Sequence, residues 1–159
     1  MSPPNAIDRL RQELRPHQSF QVDFKQLVTQ DLFPDQPTTA TGSLSFHRPD
    51  HFKWVYRTPK PKVISYDGKT LKVDSDVVPQ SGGISLEESF AFLWGKVSSK
   101  YFIVQNLKTN SFRLRVKNPD KANFKYIDAT LKNNRIKEAI VHDHLDGVSR
   151  LIFSNWRFR

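Results

Sequence analysis

The side chains that could do chemistry in this chain are few, and their spacing narrows them further. His142-Asp143-His144, with Asp146 close by, is the one grouping with metal-ligand character. On a strand, residues i and i+2 share a face, so two imidazoles could meet one ion. No third protein ligand is identifiable and the stretch abuts a turn, so a solvated hairpin end is the better reading and no metal is expected. No nucleophile elbow, phosphate-binding glycine loop or pair of catalytic carboxylates occurs. Gly82-Gly83 lacks a lysine at the spacing such a loop requires. The 159 residues include no cysteine, which removes a disulfide scaffold, an iron–sulfur site, a thiolate zinc site and a cysteine nucleophile. Catalysis is disfavoured, and no cofactor is implied.

Charge points elsewhere. Twenty-five Lys and Arg against 16 Asp and Glu give a net charge of +9, which favours an acidic partner or an anionic membrane surface. Basic and aromatic residues interleave at Arg113 to Lys117 and at Phe124-Lys125-Tyr126, a pattern compatible with binding single-stranded nucleic acid. Strand alternation, however, sends Phe112 and Leu114 to the face opposite Arg113 and Arg115. A solvated outer face is expected there, and no nucleic-acid partner. Arg48-Pro49 leaves two readings open: an ordinary hairpin arginine, or a guanidinium that reaches across a cavity mouth to backbone carbonyls.

These residues must be positioned by a mostly β chain. Asn5 and Asp8 open a helix with Ile7, Leu10 and Leu14 at helical spacing, and Pro16 ends it. From Phe20, Val22 and Phe24 onward the period becomes two. It recurs through Leu44 and Phe46, through Phe52, Trp54 and Tyr56, and through Leu71 and Val73. Phe102 and Val104 follow, then Phe112, Leu114 and Val116, then Phe124 and Tyr126. Ile127 with Ala129 and Leu131, Ile136 with Ile140, and Leu151 with Phe153 complete the series. Asp67-Gly68, Asn133-Asn134 and Asp146-Gly147 are tight-turn signals.

Short connections between alternating strands predict an antiparallel meander. A sheet of this size curls or splits, and its apolar face needs a cover. Apart from the first helix, the available cover is a central segment. Asp76 to Gly83 reads as a loop; Ser85 and Glu88 form a capping box, and Leu86, Phe90, Leu93 and Trp94 share one helical face ended by Gly95. That helix is either a core plug or a hinged lid over a cavity. The length predicts a single domain, 1–159. No apolar run reaches the ~18 residues of a membrane helix, and with no apolar h-region in Ser2-Pro3-Pro4-Asn5 after Met1 the expectation is either a cytosolic protein or one whose export signal has been removed and Met1 added.

At this level of detail the chain resembles the LolA family of periplasmic outer-membrane lipoprotein carriers. Ser19-Phe20-Gln21-Val22-Asp23-Phe24-Lys25-Gln26 is similar to the family's opening strand. Gly42-Ser43-Leu44-Ser45-Phe46-His47-Arg48-Pro49 followed by Phe52-Lys53-Trp54 resembles its most specific pattern, and Asp67-Gly68-Lys69-Thr70-Leu71 its next hairpin. The lid segment, the Phe112-x-Leu114 strand and the Asp146-to-Ser149 hairpin follow in order. Where members usually add a further strand, Trp156 and Phe158 either begin one or replace it, and Lys72 and Asp74 stand where aromatics are common.

The resemblance implies an α+β fold: a single highly curved antiparallel sheet, an incomplete β-barrel, covered by short lid helices. It implies a monomeric, non-enzymatic carrier in the periplasm that holds lipoprotein acyl chains in an apolar cavity. An inner-membrane LolCDE-type transporter would load it and a LolB-type receptor in the outer membrane would unload it. The implied ligand-binding residues are Phe20, Phe24, Phe46, Trp54, Leu86, Phe90, Leu93 and Trp94. Arg48 would close the lid by bonding the lid helix backbone, and the region of Phe52 would meet the transporter. The rival readings are a carrier or sensor of another lipid or glycolipid, a basic nucleic-acid-binding module and, third, an enzyme.

Overall fold

Helix α1 (Ala6–Leu14) begins where the Asn5 side chain accepts the Asp8 backbone N–H at 3.0 Å. Its apolar stripe, Ile7, Leu10 and Leu14, is buried, and the chain turns at Pro16 into a run of eleven strands. A computed structural model describes residues 5–30, 33–79 and 83–159. Met1 to Pro4 and the middle of the Asp76–Gly83 stretch, Gly82 included, therefore lie outside the described residues.

The strands are β1 (Ser19–Gln30), β2 (Phe33–His47), β3 (His51–Thr58), β4 (Lys62–Tyr66), β5 (Leu71–Val73) and β6 (Asp76–Val77). After them come α2 (Leu86–Phe90) and a 3-10 turn (Ala91–Trp94), then β7 (Phe102–Lys108) and β8 (Ser111–Val116). A short 3-10 turn (Pro119–Lys121) leads to β9 (Phe124–Lys132), β10 (Arg135–Asp143) and β11 (Val148–Phe158). All eleven form one sheet in the order β6-β5-β4-β3-β2-β1-β11-β10-β9-β8-β7, every pairing antiparallel. The sheet is open, with β6 and β7 at its margins, and the chain crosses from one margin to the other through α2. This is the α+β half-barrel that the sequence implies.

Turn chemistry accounts for the connections. Asn133 and Asn134 both take positive φ (54° and 62°), Gly68 takes 93° and Asp146 takes 62°, conformations that Asn, Asp and Gly adopt at least cost. The curvature comes from bulges, each of which adds a residue to one strand and bends it. In β11, Gln21 faces Arg157 but Asp23 faces Ser154, so one extra residue is absorbed at Asn155, whose φ is 59°. That insertion turns Trp156 and Phe158 toward the core as the continuation of the strand that begins with Val148. At Gly42 the sheet is so close that an added Cβ would sit 1.8 Å from the Val55 carbonyl oxygen and 2.8 Å from the Phe24 ring.

Bulges also correct two strand phases. Between Ile136 and Glu138 the register against β9 shifts, so Ala139 is buried and Ile140 only partly so. Tyr126 likewise does not share the face of Phe124. A shift beside it leaves Tyr126 on the outward side, stacked on His142 at 4.3 Å. Strands β4 and β6 were not expected. The first hides behind Pro59-Lys60-Pro61, and the second is two residues long and falls in a stretch that reads as loop.

Candidate functional site

The inward face of β1 to β3 and β11 is a continuous aromatic surface, because alternation delivers a large ring from each strand to the same side. Phe24 stacks on Trp54 at 4.1 Å, Phe20 contacts Phe46 at 5.1 Å, and Phe153 meets Trp54 edge-on. The central helix lies on this surface. Phe90 stacks on Trp54 at 5.1 Å and meets Phe52 edge-on, while Trp94 stacks on Phe46 at 4.5 Å. Of the residues singled out in the sequence, Phe20, Phe24, Phe46, Phe52, Trp54, Leu93 and Trp94 are buried, and Leu86 and Phe90 are half-buried at the lid. Phe92, which the helical spacing did not select, is also buried. The segment tightens into a 3-10 turn after Phe90, which rotates the following side chains away from α-helical positions.

The cover is short and incompletely satisfied. The Ser85 hydroxyl accepts the Glu88 N–H, and Gly95 closes the far end with φ of 84°. Between these caps, α2 contributes no fully buried residue. Three buried polar atoms have no hydrogen-bond partner among the described residues: Nε1 of Trp54, Nε1 of Trp94 and Oε2 of Glu87. All three belong to the lid or to the floor beneath it. Buried orphans of this kind are uncommon and each costs roughly 1–3 kcal/mol. The Trp54 and Tyr56 rings meet edge-on, and the Tyr56 hydroxyl donates to Gln26 Oε1 at 2.8 Å. Burial pushes the Tyr56 phenol up from its ordinary value, and burial followed by the neighbouring Glu87 carboxylate does the same to Glu88.

Arg48 does reach backbone carbonyls, but those of α1. Its Nε donates to His17 O and its Nη2 to Leu14 O, both at 2.7 Å, where the last turn of a helix leaves acceptors unsatisfied and carries partial negative charge. Arg11, one turn earlier on α1, donates Nε to Gly95 O at 2.6 Å. Arg48 therefore fixes α1, and α1 in turn grips the end of the lid. The Arg11–Gly95 bond was not legible, since it joins residues 84 apart.

The other sequence candidates are engaged elsewhere. His144 Nε2 lies 2.8 Å from the Ala122 carbonyl, and His142 is stacked on Tyr126. Arg113 is bidentate to Asp128 at 2.7 and 3.0 Å and lies over the Tyr126 ring. The outward ring and its cation are thus already paired with each other. A cavity of about 610 Å³ lies on the outward side of β1 to β5 and β11, away from the lid.

A family model described as outer membrane lipoprotein carrier protein LolA matches residues 15–158. The chain belongs to the LolA family. LolA-family proteins are carriers and not enzymes. Two curated relatives, from Chromobacterium violaceum and Proteus mirabilis, are each called outer-membrane lipoprotein carrier protein. The first is 28% identical over 96% of this chain and 77% of its own length. The second is 28% identical over 82% of this chain and 66% of its own length. In fold, the chain is similar to a LolA superfamily protein from Nitrosomonas europaea, with a TM-score of 0.55 at 13% identity over 97% of this chain and 92% of that one. The aromatic face and its lid are thus features of a LolA-family half-barrel. No helix of the described residues is long and apolar enough to cross a membrane.

Proposed function

We propose that this chain is a single-domain periplasmic carrier that takes the acyl chains of lipoproteins between the aromatic face and the lid and shuttles them from inner to outer membrane. The observation that carries this reading is the lid itself. It is a nine-residue cover resting on stacked rings, with unpartnered polar atoms on both sides of the contact. An optimised core would pair those two indole donors and the carboxylate oxygen; a surface that must part does not. The names of the relatives supply the cargo class.

The energetics fit a carrier that must also release. A triacylated anchor has about 40 methylenes, worth ~0.8 kcal/mol each when buried. Full capture would exceed the ~20 kcal/mol ceiling of non-covalent affinity. Part of the gain is offset by separating Phe90 from Trp54 and Trp94 from Phe46. Arg48 sets that cost through α1: its two bonds keep α1 seated, and Arg11 on α1 holds Gly95. An inner-membrane transporter of the LolCDE type loads the carrier, and a LolB-type receptor of the outer membrane, where one exists, accepts the cargo. The region of Phe52 meets that transporter, although the Phe52 ring itself is buried against Phe90, Trp94 and Tyr66.

The test is native mass spectrometry of protein exported to a Gram-negative periplasm, followed by lipid extraction. Bound lipoprotein, or a di- or triacyl species, is the expected result. A glycolipid would reassign the cargo. Protein that is empty and binds neither bis-ANS nor acyl chains would make the aromatic face simple core and refute the reading.

A further inference from the structure

The outward cavity has a regular construction. Its floor is the backbone beneath one inward-pointing row of rings, Phe20, Phe46 and Phe52 among them, and its walls are the outward rows on either side. One wall is a single register line across six strands. Arg157 faces Gln21, Gln21 faces Ser45, Ser45 faces Lys53, Lys53 faces Ser65, and Ser65 faces Lys72. The opposite wall, two residues along each strand, includes His47, His51, Asp67 and Arg159. Side chains two apart on a strand are about 6.8 Å apart, and six strands span about 24 Å, so the groove has the width of one extended polypeptide and the length of about seven residues.

Its chemistry is donor-rich and cationic. Lys53 and Lys72 are exposed, and among the described residues neither they nor Arg159 make an ion pair. Small hydroxyls, Ser45 and Ser65, separate the cations and leave the space open. The acids nearby are committed. Asp23 holds Arg157 at 3.3 Å, and Asp67 accepts the N–H groups of Lys69 and Thr70 within its own turn. Lys53 stands two strands from Lys72 and three from Arg157, about 10 and 14 Å. Only even spacings put side chains on one side of an extended chain, and carboxylates four residues apart, about 14 Å, fall within reach of the lysine stems along this wall. A plane of lipid headgroups would touch only the tips of the walls.

We propose that this groove docks an extended acidic polypeptide segment, with carboxylates on Lys53 and Lys72 and the segment running toward Arg159 at the β11 end. This surface is opposite the lid and does not depend on what the lid covers. The experiment uses the full chain and a fluorescein-labelled nine-residue peptide with three glutamates at four-residue spacing among serines, all on one side of the extended chain, and its glutamine counterpart. Fluorescence anisotropy should show binding of the glutamate peptide alone, weakening as salt is raised from 50 to about 300 mM. The Lys53→Gln/Lys72→Gln double variant should lose about tenfold in affinity, as two partly exposed ion pairs allow. Lys132→Gln/Lys137→Gln, with equal charge change outside the groove, should lose less than about twofold. In unsubstituted protein, amide shifts on adding peptide should fall on Gln21, Ser45, Lys53 and Ser65. Equal losses in both double variants, shifts scattered over the outer face, or no peptide binding would overturn the proposal. So would binding to phosphatidylglycerol vesicles that depends on Lys53 and Lys72 while the peptide does not bind.

Discussion

Arg48→Leu is the most informative single change. The leucine keeps the bulk of the side chain but removes both bonds at 2.7 Å to Leu14 O and His17 O. Hydrogen bonds to a charged group are worth about 1.5–3 kcal/mol each, and the two share one anchor, so the sum is about 2–4 kcal/mol. For a chain of this size that lowers Tm by roughly 5–15 °C. Arg48→Lys restores the charge with one compact donor and should recover about half. Arg115→Leu, an exposed outer-face control, should stay within about 0.5 kcal/mol. The assay is urea unfolding alongside amide exchange. Because the bonds act on α1, exchange at Leu10 and Leu14 and at the lid should quicken before that of the β1–β2 ladder. A loss below about 0.5 kcal/mol, or uniform acceleration throughout the sheet, would show that Arg48 does not hold α1.

Three further outcomes follow from the same geometry. Gly42→Val places a Cβ against the Val55 backbone at 1.8 Å; it should cost more than about 3 kcal/mol or prevent folding, as read by expression and circular dichroism. Trp94→Phe removes a buried donor without a partner and should change stability by less than about 1 kcal/mol, whereas Trp156→Phe, which breaks the 3.1 Å bond to Ile136 O, should cost about 1–2 kcal/mol in the same chemical-unfolding assay. Glu88 titrates above its ordinary value of 4.5 because partial burial penalises its charge and Glu87 sits beside it. Its ionised form therefore penalises the folded lid near neutral pH, and the penalty fades as pH falls through the folded value toward 4.5. Glu88→Gln should be more stable than the parent at pH 7.5, with the difference gone at and below about pH 4.5 by thermal melts across pH.

The elements were legible where local rules act alone. Asn5 and Pro16 bracket α1, the paired asparagines at 133 and 134 give a tight turn, and alternation selects the aromatic face. The phase errors at Tyr126 and Ile140 have one cause. A bulge inserts a residue only because the partner strand demands it, so nothing in the local pattern announces it. The lid residues were found from helical spacing, while Phe92 was missed because the helix tightens midway. A carbonyl-binding Arg48 was one of two readings the residues left open, and its partner could not be chosen. Choosing between α1 and α2 requires knowing which helix lies under the β2–β3 turn. The outward groove was beyond reach for the same reason, since its wall exists only as a line through six registers.

The lid connects the two free margins of the sheet, β6 on one side and β7 on the other. It is therefore a strap fastened at both rims, not a door on one hinge. Any parting from the sheet is that of a loop whose two ends stay fixed in β6 and β7. Bowing and rim separation compete for the same length of chain. Anything that wedged the rims apart would draw the two ends of the strap away from each other, so rim separation and lifting of the strap oppose one another.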